Sequence, residues 1–145
     1  MPLQQEYDSL YMDIAFRVSL MSKAVRLKVG SIVVQGNSIV SYGYNGTPKG
    51  FDNTAEYPDA EGKLVTKPEV VHSELNSLLK LIKTNIPVKD GIMFCTHAPC
   101  LACSVHIYQS EVIKEVVYSE EYRSRDGLDF LIKNGIKVRQ FITKS

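Results

Sequence analysis

The sequence predicts a three-layer α/β/α domain, a mixed sheet of about five strands covered by helices on both sides. Three observations carry this. Two short β-branched runs, Gly30 to Val34 and Ser38 to Tyr42, are joined by Gln35-Gly36-Asn37 and read as a hairpin. From Ser73 onward helical and strand patterns alternate, which adds further strands to that hairpin and helices to its faces. At 145 residues the chain has the length of a single domain, 1–145, with enough material for a real core.

The elements follow in order. Asp8 to Val25 reads as a helix, with Leu10, Tyr11, Ile14, Val18, Met21 and Val25 on one face at helical spacing. Met12, Phe16 and Leu20 form a second stripe on the opposite face, expected to meet either another subunit or another part of the same chain. After the hairpin, Gly43 to Gly50 is dense in turn formers. Phe51 to Val70 is polar, holds Pro58, Gly62 and Pro68, and shows no clear period. A connection of that length reads either as a mobile flap beside a site or as a plain surface excursion. Ser73 to Lys83 is a helix with Leu75, Leu78, Leu79 and Ile82 inward. Ile92 to Cys95 is a short buried strand, and Leu101 to Gln109 a helix carrying Leu101, Val105 and Tyr108. Glu115 to Tyr118 is a strand, Asp126 to Asn134 a helix that Gly135 ends, and Ile136 to Phe141 the last strand.

Composition narrows the function. Apolar residues make up 44 per cent and charged ones 23 per cent, the balance of an ordinary soluble protein. A formal charge of +1 argues against binding a nucleic acid polymer along a basic face. No run is long enough to span a bilayer and nothing at the start resembles a signal peptide, so no membrane partner is expected and the cytoplasm is the expected location. Three Cys, two of them in a C-x-x-C, indicate metal or redox use in a reducing compartment.

The chemistry concentrates in two stretches. His72-Ser73-Glu74 opens one predicted helix, and Ala98-Pro99-Cys100-Leu101-Ala102-Cys103 opens another. One imidazole and two thiolates suit Zn²⁺, and three protein ligands are the count of a catalytic zinc, which keeps a place for water. Helix N-termini favour thiolate over thiol, and positions three apart share a helix face. Glu74 lies too close to His72 to serve comfortably as a fourth ligand, yet near enough to carry a proton. A closed structural zinc with His97 or His106 as fourth ligand is the competing reading. Cys95, in an apolar strand, reads as a core filler. The glycine-rich turn exposes backbone N–H groups, Asn45 can both donate and accept, and Lys49 adds a charge. Arg26 and Lys28 precede the first strand; Tyr122, Arg123 and Arg125 follow the Glu115–Tyr118 strand.

H-x-E followed by P-C-x-x-C is a signature already known for zinc nucleobase deaminases. Together with Val29-Gly30-Ser31-Ile32-Val33, Gly43-Tyr44-Asn45-Gly46-Thr47-Pro48-Lys49-Gly50 and His72-Ser73-Glu74-Leu75-Asn76, it makes the chain resemble the deoxycytidylate (dCMP) deaminases. These belong to the cytidine/deoxycytidylate deaminase superfamily, and the phage and eukaryotic branch is the most similar. The resemblance implies a cytidine-deaminase-like fold and hydrolytic deamination of dCMP to dUMP and ammonia, feeding dTTP synthesis. It implies one catalytic Zn²⁺ per chain on His72, Cys100 and Cys103, with Glu74 as the catalytic proton carrier. Substrate contacts fall on Arg26, Asn45, Ser73, Ala98, Pro99 and Tyr122, and effector contacts on Gly43, Tyr44, Lys49, Gly50, Phe51 and Asp52. It further implies activation by dCTP with Mg²⁺, inhibition by dTTP, a homo-oligomer, commonly a hexamer, and a host cytoplasm if the chain is phage-encoded. Ser73 departs from the family's usual Ala or Cys. Phe51 to Val70 lacks Cys and His, so a second, structural zinc is not expected. Two alternatives stand beside this: deamination of a related cytosine nucleoside or nucleotide, and a zinc module that senses nucleotides without catalysis.

Overall fold

The structure, a computed structural model, describes residues 3–143. Its elements run α1 (Gln4–Ser19), β1 (Gly30–Gln35), β2 (Ser38–Tyr44), β3 (Glu56–Pro58), β4 (Leu64–Thr66), α2 (Ser73–Lys80), a 3-10 turn (Leu81–Lys83), β5 (Gly91–His97), α3 (Leu101–Ser110), β6 (Ile113–Glu120), α4 (Asp126–Lys133) and β7 (Lys137–Gln140). Five strands form one mixed sheet in the order β2-β1-β5-β6-β7. The β1–β2 and β1–β5 pairs are antiparallel, while β5–β6 and β6–β7 are parallel with α3 and α4 as their crossovers. Gln35 pairs with Ser38, so Gly36 and Asn37 alone make the hairpin turn. Both have positive φ, 54° and 61°, as a two-residue turn matching strand twist requires.

Alternation along the strands divides the core. Ile32, Val34, Phe94 and Val117 pack with Tyr11, Met12 and Ala15 of α1. Val33, Met93, Cys95, Val116 and Tyr118 point the other way, onto Leu78 of α2, Ile107 of α3, and Leu128 and Leu131 of α4. One helix covers one face and three cover the other, the predicted three layers. Gly135, at φ 87°, follows the end of α4 as expected.

The helix faces depart from the apolar periodicity. α1 ends at Ser19, not Val25, and its buried residues are Asp8, Tyr11, Met12, Ala15 and Ser19. Met12, from the second predicted stripe, is therefore in the core, while Leu10, Phe16, Leu20, Met21 and Val25 are exposed. Close approach selects that face: a Cβ added to Gly30 of β1 would lie 2.2 Å from the Ala15 carbonyl. α2 buries Ser73, Glu74, Ser77 and Leu78, so Leu79 and Ile82 point outward rather than into the core. Leu101, Val105 and Tyr108 likewise lie on the open side of α3, whose buried residues are Cys103, Ser104 and Ile107. The connection at 51–70 is not structureless: β3 and β4 pair as a separate two-stranded ribbon. Among the described residues no helix is long and apolar enough to cross a membrane.

Arg139 of β7 ties the first helix to the last strands. It donates to Asp8 of α1 (Nη1 to Oδ2, 2.8 Å) and to Glu115 of β6 (Nε to Oε2, 3.1 Å). Burial alone would raise the Asp8 pKa, but the hydrogen bonds from Arg139 and Gln4 and the Arg139 charge together outweigh it and hold the carboxyl below the usual aspartate range. The folded pKa is the lower one. The stabilisation is therefore present above the unfolded value and is lost as pH falls through the folded value. Arg139→Met is expected to cost about 2–3 kcal/mol at neutral pH, less than for a wholly buried pair because the guanidinium stays partly wet. Denaturant midpoints should show the gap to the parent protein narrowing as pH falls below the unfolded aspartate value of about 3.9 and on through the lower folded one; an equal midpoint at pH 7 would rule this tie out.

Candidate metal centre

His72 is the N-cap of α2 and Cys100 the N-cap of α3, so both stand at the mouths of helices on the same side of the sheet. Cys103 follows one turn into α3, and its N–H points to Cys100 Sγ at 3.5 Å. His72 Nδ1 lies 3.6 Å from Cys100 Sγ and 3.3 Å from Cys103 Sγ. A tetrahedral zinc with nitrogen at about 2.0–2.1 Å and sulfur at about 2.3 Å sets such atoms about 3.6 Å apart, so these three donors fit zinc. Among the described residues they form the one His/Cys/Asp/Glu group of metal-binding geometry. His97 is turned to Thr96 (Nδ1 to Oγ1, 2.9 Å) and Glu120 (Nε2 to Oε2, 3.8 Å), and His106 lies exposed on α3. Neither joins the group, so the closed four-ligand reading has no support here.

The thiols are electrostatically unequal. Hydrogen bonds from Cys103 and then His72 pull the Cys100 thiol down to about 4. Cys103 is pushed up, first by its hydrogen bond to Cys100, then by burial and the nearby Glu74. The two thiols thus share one site, and a divalent cation there would favour the thiolate form of both. The imidazole of His72 is raised by its hydrogen bond to Cys100. Glu74, in the first turn of α2, is 4% exposed. Burial holds its carboxyl above the ordinary glutamate range, opposed by the Ser73 hydroxyl, which donates to Oε1 at 2.7 Å. Cys95 is wholly buried in β5, and burial raises its thiol further.

A lattice of serines fixes the mouth of α2. Ser31 Oγ donates to the Ser73 carbonyl (2.9 Å) and Ser41 Oγ to the Ser77 carbonyl (2.6 Å), while Asn76 Nδ2 donates to the Tyr44 carbonyl (2.9 Å). A Cβ on Gly43 would meet the Ser73 carbonyl at 2.4 Å and the Ser77 nitrogen at 2.6 Å. Gly43→Ala is therefore expected to push α2 off the sheet, costing about 1–3 kcal/mol and lowering the zinc-to-protein ratio. Denaturation and metal analysis check this; unchanged stability and zinc content would leave Gly43 without this packing role. Gly127 plays the matching part for α3: a Cβ there would lie 2.3 Å from the Pro99 carbonyl.

Two of the three donors, His72 and Cys100, open on a cavity of about 630 Å³, within the size range of small-molecule sites, and Cys103 lies buried behind them. Arg26, Asn45, Ser73, Ala98 and Tyr122 all line it, with His72, Glu74 and Cys100. Pro99 is buried and does not. Asn45 has its amide engaged with backbone, Oδ1 accepting from Val29 N and Nδ2 donating to the Leu27 carbonyl, both at 2.8 Å. The Ala98 N–H is taken by the Glu120 carbonyl at 2.8 Å. Glu56, Thr66, His97, Glu120, Glu121 and Arg123 also line the cavity. Of these the sequence singled out Arg123 as a strand-end cation and His97 only as a spare ligand. The others carry no motif, and only the antiparallel ribbon and the parallel β5–β6 register bring them there. Gly43, Tyr44, Lys49, Gly50, Phe51 and Asp52 do not line the cavity: the first two belong to β2, and the rest lie in the turn beyond it.

Comparison with known proteins agrees with this geometry. Residues 5–120 match the family described as the cytidine and deoxycytidylate deaminase zinc-binding region. Human deoxycytidylate deaminase is 36% identical over 96% of this chain and 82% of its own length. That of Schizosaccharomyces pombe is 33% identical over 94% of this chain and 44% of its own length. The chain thus spans under half of that relative, and 46% of the Saccharomyces cerevisiae deoxycytidylate deaminase. The crystal structure of dCMP deaminase from the cyanophage S-TIM5, in complex with dCMP and dUMP, superposes with a TM-score of 0.87 at 40% identity, covering 96% of this chain and 99% of that one.

Proposed function

Because the chain belongs to the cytidine and deoxycytidylate deaminase zinc-binding family, we propose that it hydrolyses dCMP to dUMP and ammonia. One observation carries the reading: a buried carboxylate, Glu74, stands with a His/Cys/Cys group that fits zinc, and Glu74, His72 and Cys100 line a cavity of small-molecule size. His72, Cys100 and Cys103 would hold the ion. Bound there, zinc supplies an activated water, its pKa lowered toward about 7.

The chain's own groups do the rest. Glu74 accepts a proton from the attacking water and delivers it to N3 of cytosine, which makes C4 electrophilic. The water oxygen bonds to C4. Glu74 then passes the second proton to the exocyclic amine, and the C4–N bond breaks to release ammonia. Burial suits Glu74 to this work, since a raised pKa makes it a better base and a ready acid. Ser73 fixes the carboxylate from one side, which gives the departure from the family's usual residue a positioning role. Arg26, Tyr122 and Arg123 at the cavity wall are the groups for the phosphate, and the second amide hydrogen of Asn45 and the carbonyl of Ala98 are those for sugar and base.

The same reading includes activation by dCTP with Mg²⁺, inhibition by dTTP, a homohexamer and a place in the cytoplasm. The likeness of Gly43 to Gly50 to the dCMP branch supports the effectors, with Gly43, Tyr44, Lys49, Gly50, Phe51 and Asp52 as contacts outside the cavity. The test is ammonia release from dCMP, deoxycytidine and CMP, with and without dCTP and dTTP. Turnover of dCMP well above the other two is the expected result. Binding of dCMP without ammonia release would leave a sensing module, and indifference to both triphosphates would remove the regulatory part alone.

A further inference from the structure

Residues 22–29, between α1 and β1, form no regular element, yet they carry Arg26 to the cavity wall. Irregular backbone must find partners for its polar groups elsewhere. Here they come from side chains. Asn45 holds the far end through Leu27 and Val29. The near end is held by Glu56 of β3, whose Oε2 accepts from Val25 N at 2.9 Å and from Arg26 N at 3.0 Å. Glu56 is buried, a rare position for a glutamate without a partner for its charge. Thr66 of β4 supplies a second hold, its hydroxyl accepting from Arg26 Nη1 at 3.1 Å. Both strands of the small ribbon thus grip one residue, Glu56 by its backbone and Thr66 by its side chain.

The pairing is informative because of what Glu56 leaves alone. Its hydrogen bonds go to two amides, not to the guanidinium. Among the described residues no carboxylate stands within ion-pair distance of Arg26. Arg125, by contrast, is paired to Glu121 at 3.3 Å. A held but unpaired guanidinium at a cavity wall is suited to an anion from outside the chain.

The geometry points to Glu56 as a positioning residue, which with Thr66 aims Arg26 at the phosphate of a nucleoside monophosphate. This rests on the deaminase reading above and extends it to what the β3–β4 ribbon is for. The ribbon then favours nucleotide over nucleoside by placing Arg26.

A double-mutant cycle tests it, with dCMP turnover as the readout. Arg26→Ala should raise KM by about 10–100-fold, as loss of a hydrogen-bonded charge does, with kcat little changed because the chemistry lies at the other end of the substrate. Glu56→Ala should raise KM about tenfold through misplacement of Arg26. The double variant should be no worse than Arg26→Ala. Glu56→Gln keeps an acceptor oxygen for both amides and should stay near the parent KM. Thr66→Val should raise KM a few-fold in the parent and not at all in the Arg26→Ala background, and it carries the test if Glu56→Ala does not fold. Effects that multiply, an equal fall in kcat, or a Glu56→Gln as impaired as Glu56→Ala would overturn the positioning role while leaving the deaminase reading intact. A parent protein that releases no ammonia from dCMP would overturn both.

Discussion

Glu74→Gln is expected to keep its fold and its zinc and to lose turnover by about 10²–10⁴-fold, the range of general acid–base assistance. The substitution is close to isosteric. The Ser73 hydroxyl, now 2.7 Å from Oε1, can still donate to an amide oxygen. The environment that raises the glutamate pKa is one that disfavours a buried charge, so a neutral side chain meets no added penalty there. His72, Cys100 and Cys103 are untouched, and Glu74 is not among the clustered donors. What the amide cannot do is take a proton from water and return it to N3 and the amine. Metal analysis and kcat on the same preparation separate the two roles. Full zinc with activity within a few-fold of the parent would remove Glu74 as the proton carrier; loss of zinc would make it a ligand or a scaffold.

The parts of this site that the sequence reveals are those whose chemistry demands a residue type at a fixed spacing. An imidazole, two thiols three apart and a carboxylate two after the histidine are rare together, and each pair opens a helix. The succession of elements along the chain is nearly as plain, because Gln35-Gly36-Asn37 forces a hairpin and Gly135 ends a helix. The helix faces are less legible. Periodicity finds an apolar stripe but not the layer that takes it. On α2 the sheet side is occupied by Ser73, Ser77 and Leu78, since Gly43 lets the backbone come too close for Leu79. On α3 the close approach of Gly127 favours Cys103 and Ser104 over Leu101, Val105 and Tyr108. The supports of the site are less legible again. Ser31, Ser41, Ser77 and Glu56 are residue types found mostly at surfaces, and only tertiary pairing buries them. The short ribbon that carries Glu56 has three residues per strand, too few for alternation to register.

Cys100→Ala is expected to bring bound zinc from one per chain to near none, and turnover to background. Three donors are the minimum for a catalytic zinc that keeps a place for water, and no fourth protein donor stands in reserve among the described residues. Cys100 is also the thiol pulled down to about 4, by Cys103 and His72, as suits a metal ligand. Its removal takes away a ligand and, with it, the thiolate that raises the His72 imidazole. The fold should feel less. Cys100 caps α3 through the Cys103 N–H, and loss of an N-cap side chain costs about 1 kcal/mol. Cys95→Ala provides the contrast: it removes a wholly buried thiol from β5 outside the donor group and should keep full zinc despite a weaker core. Zinc content, a melting curve and ammonia release on the two variants distinguish a ligand from a packing residue. Tight stoichiometric zinc in Cys100→Ala would mean that the ion is held by a different set of side chains, and the path assigned to Glu74 would have to be abandoned with it.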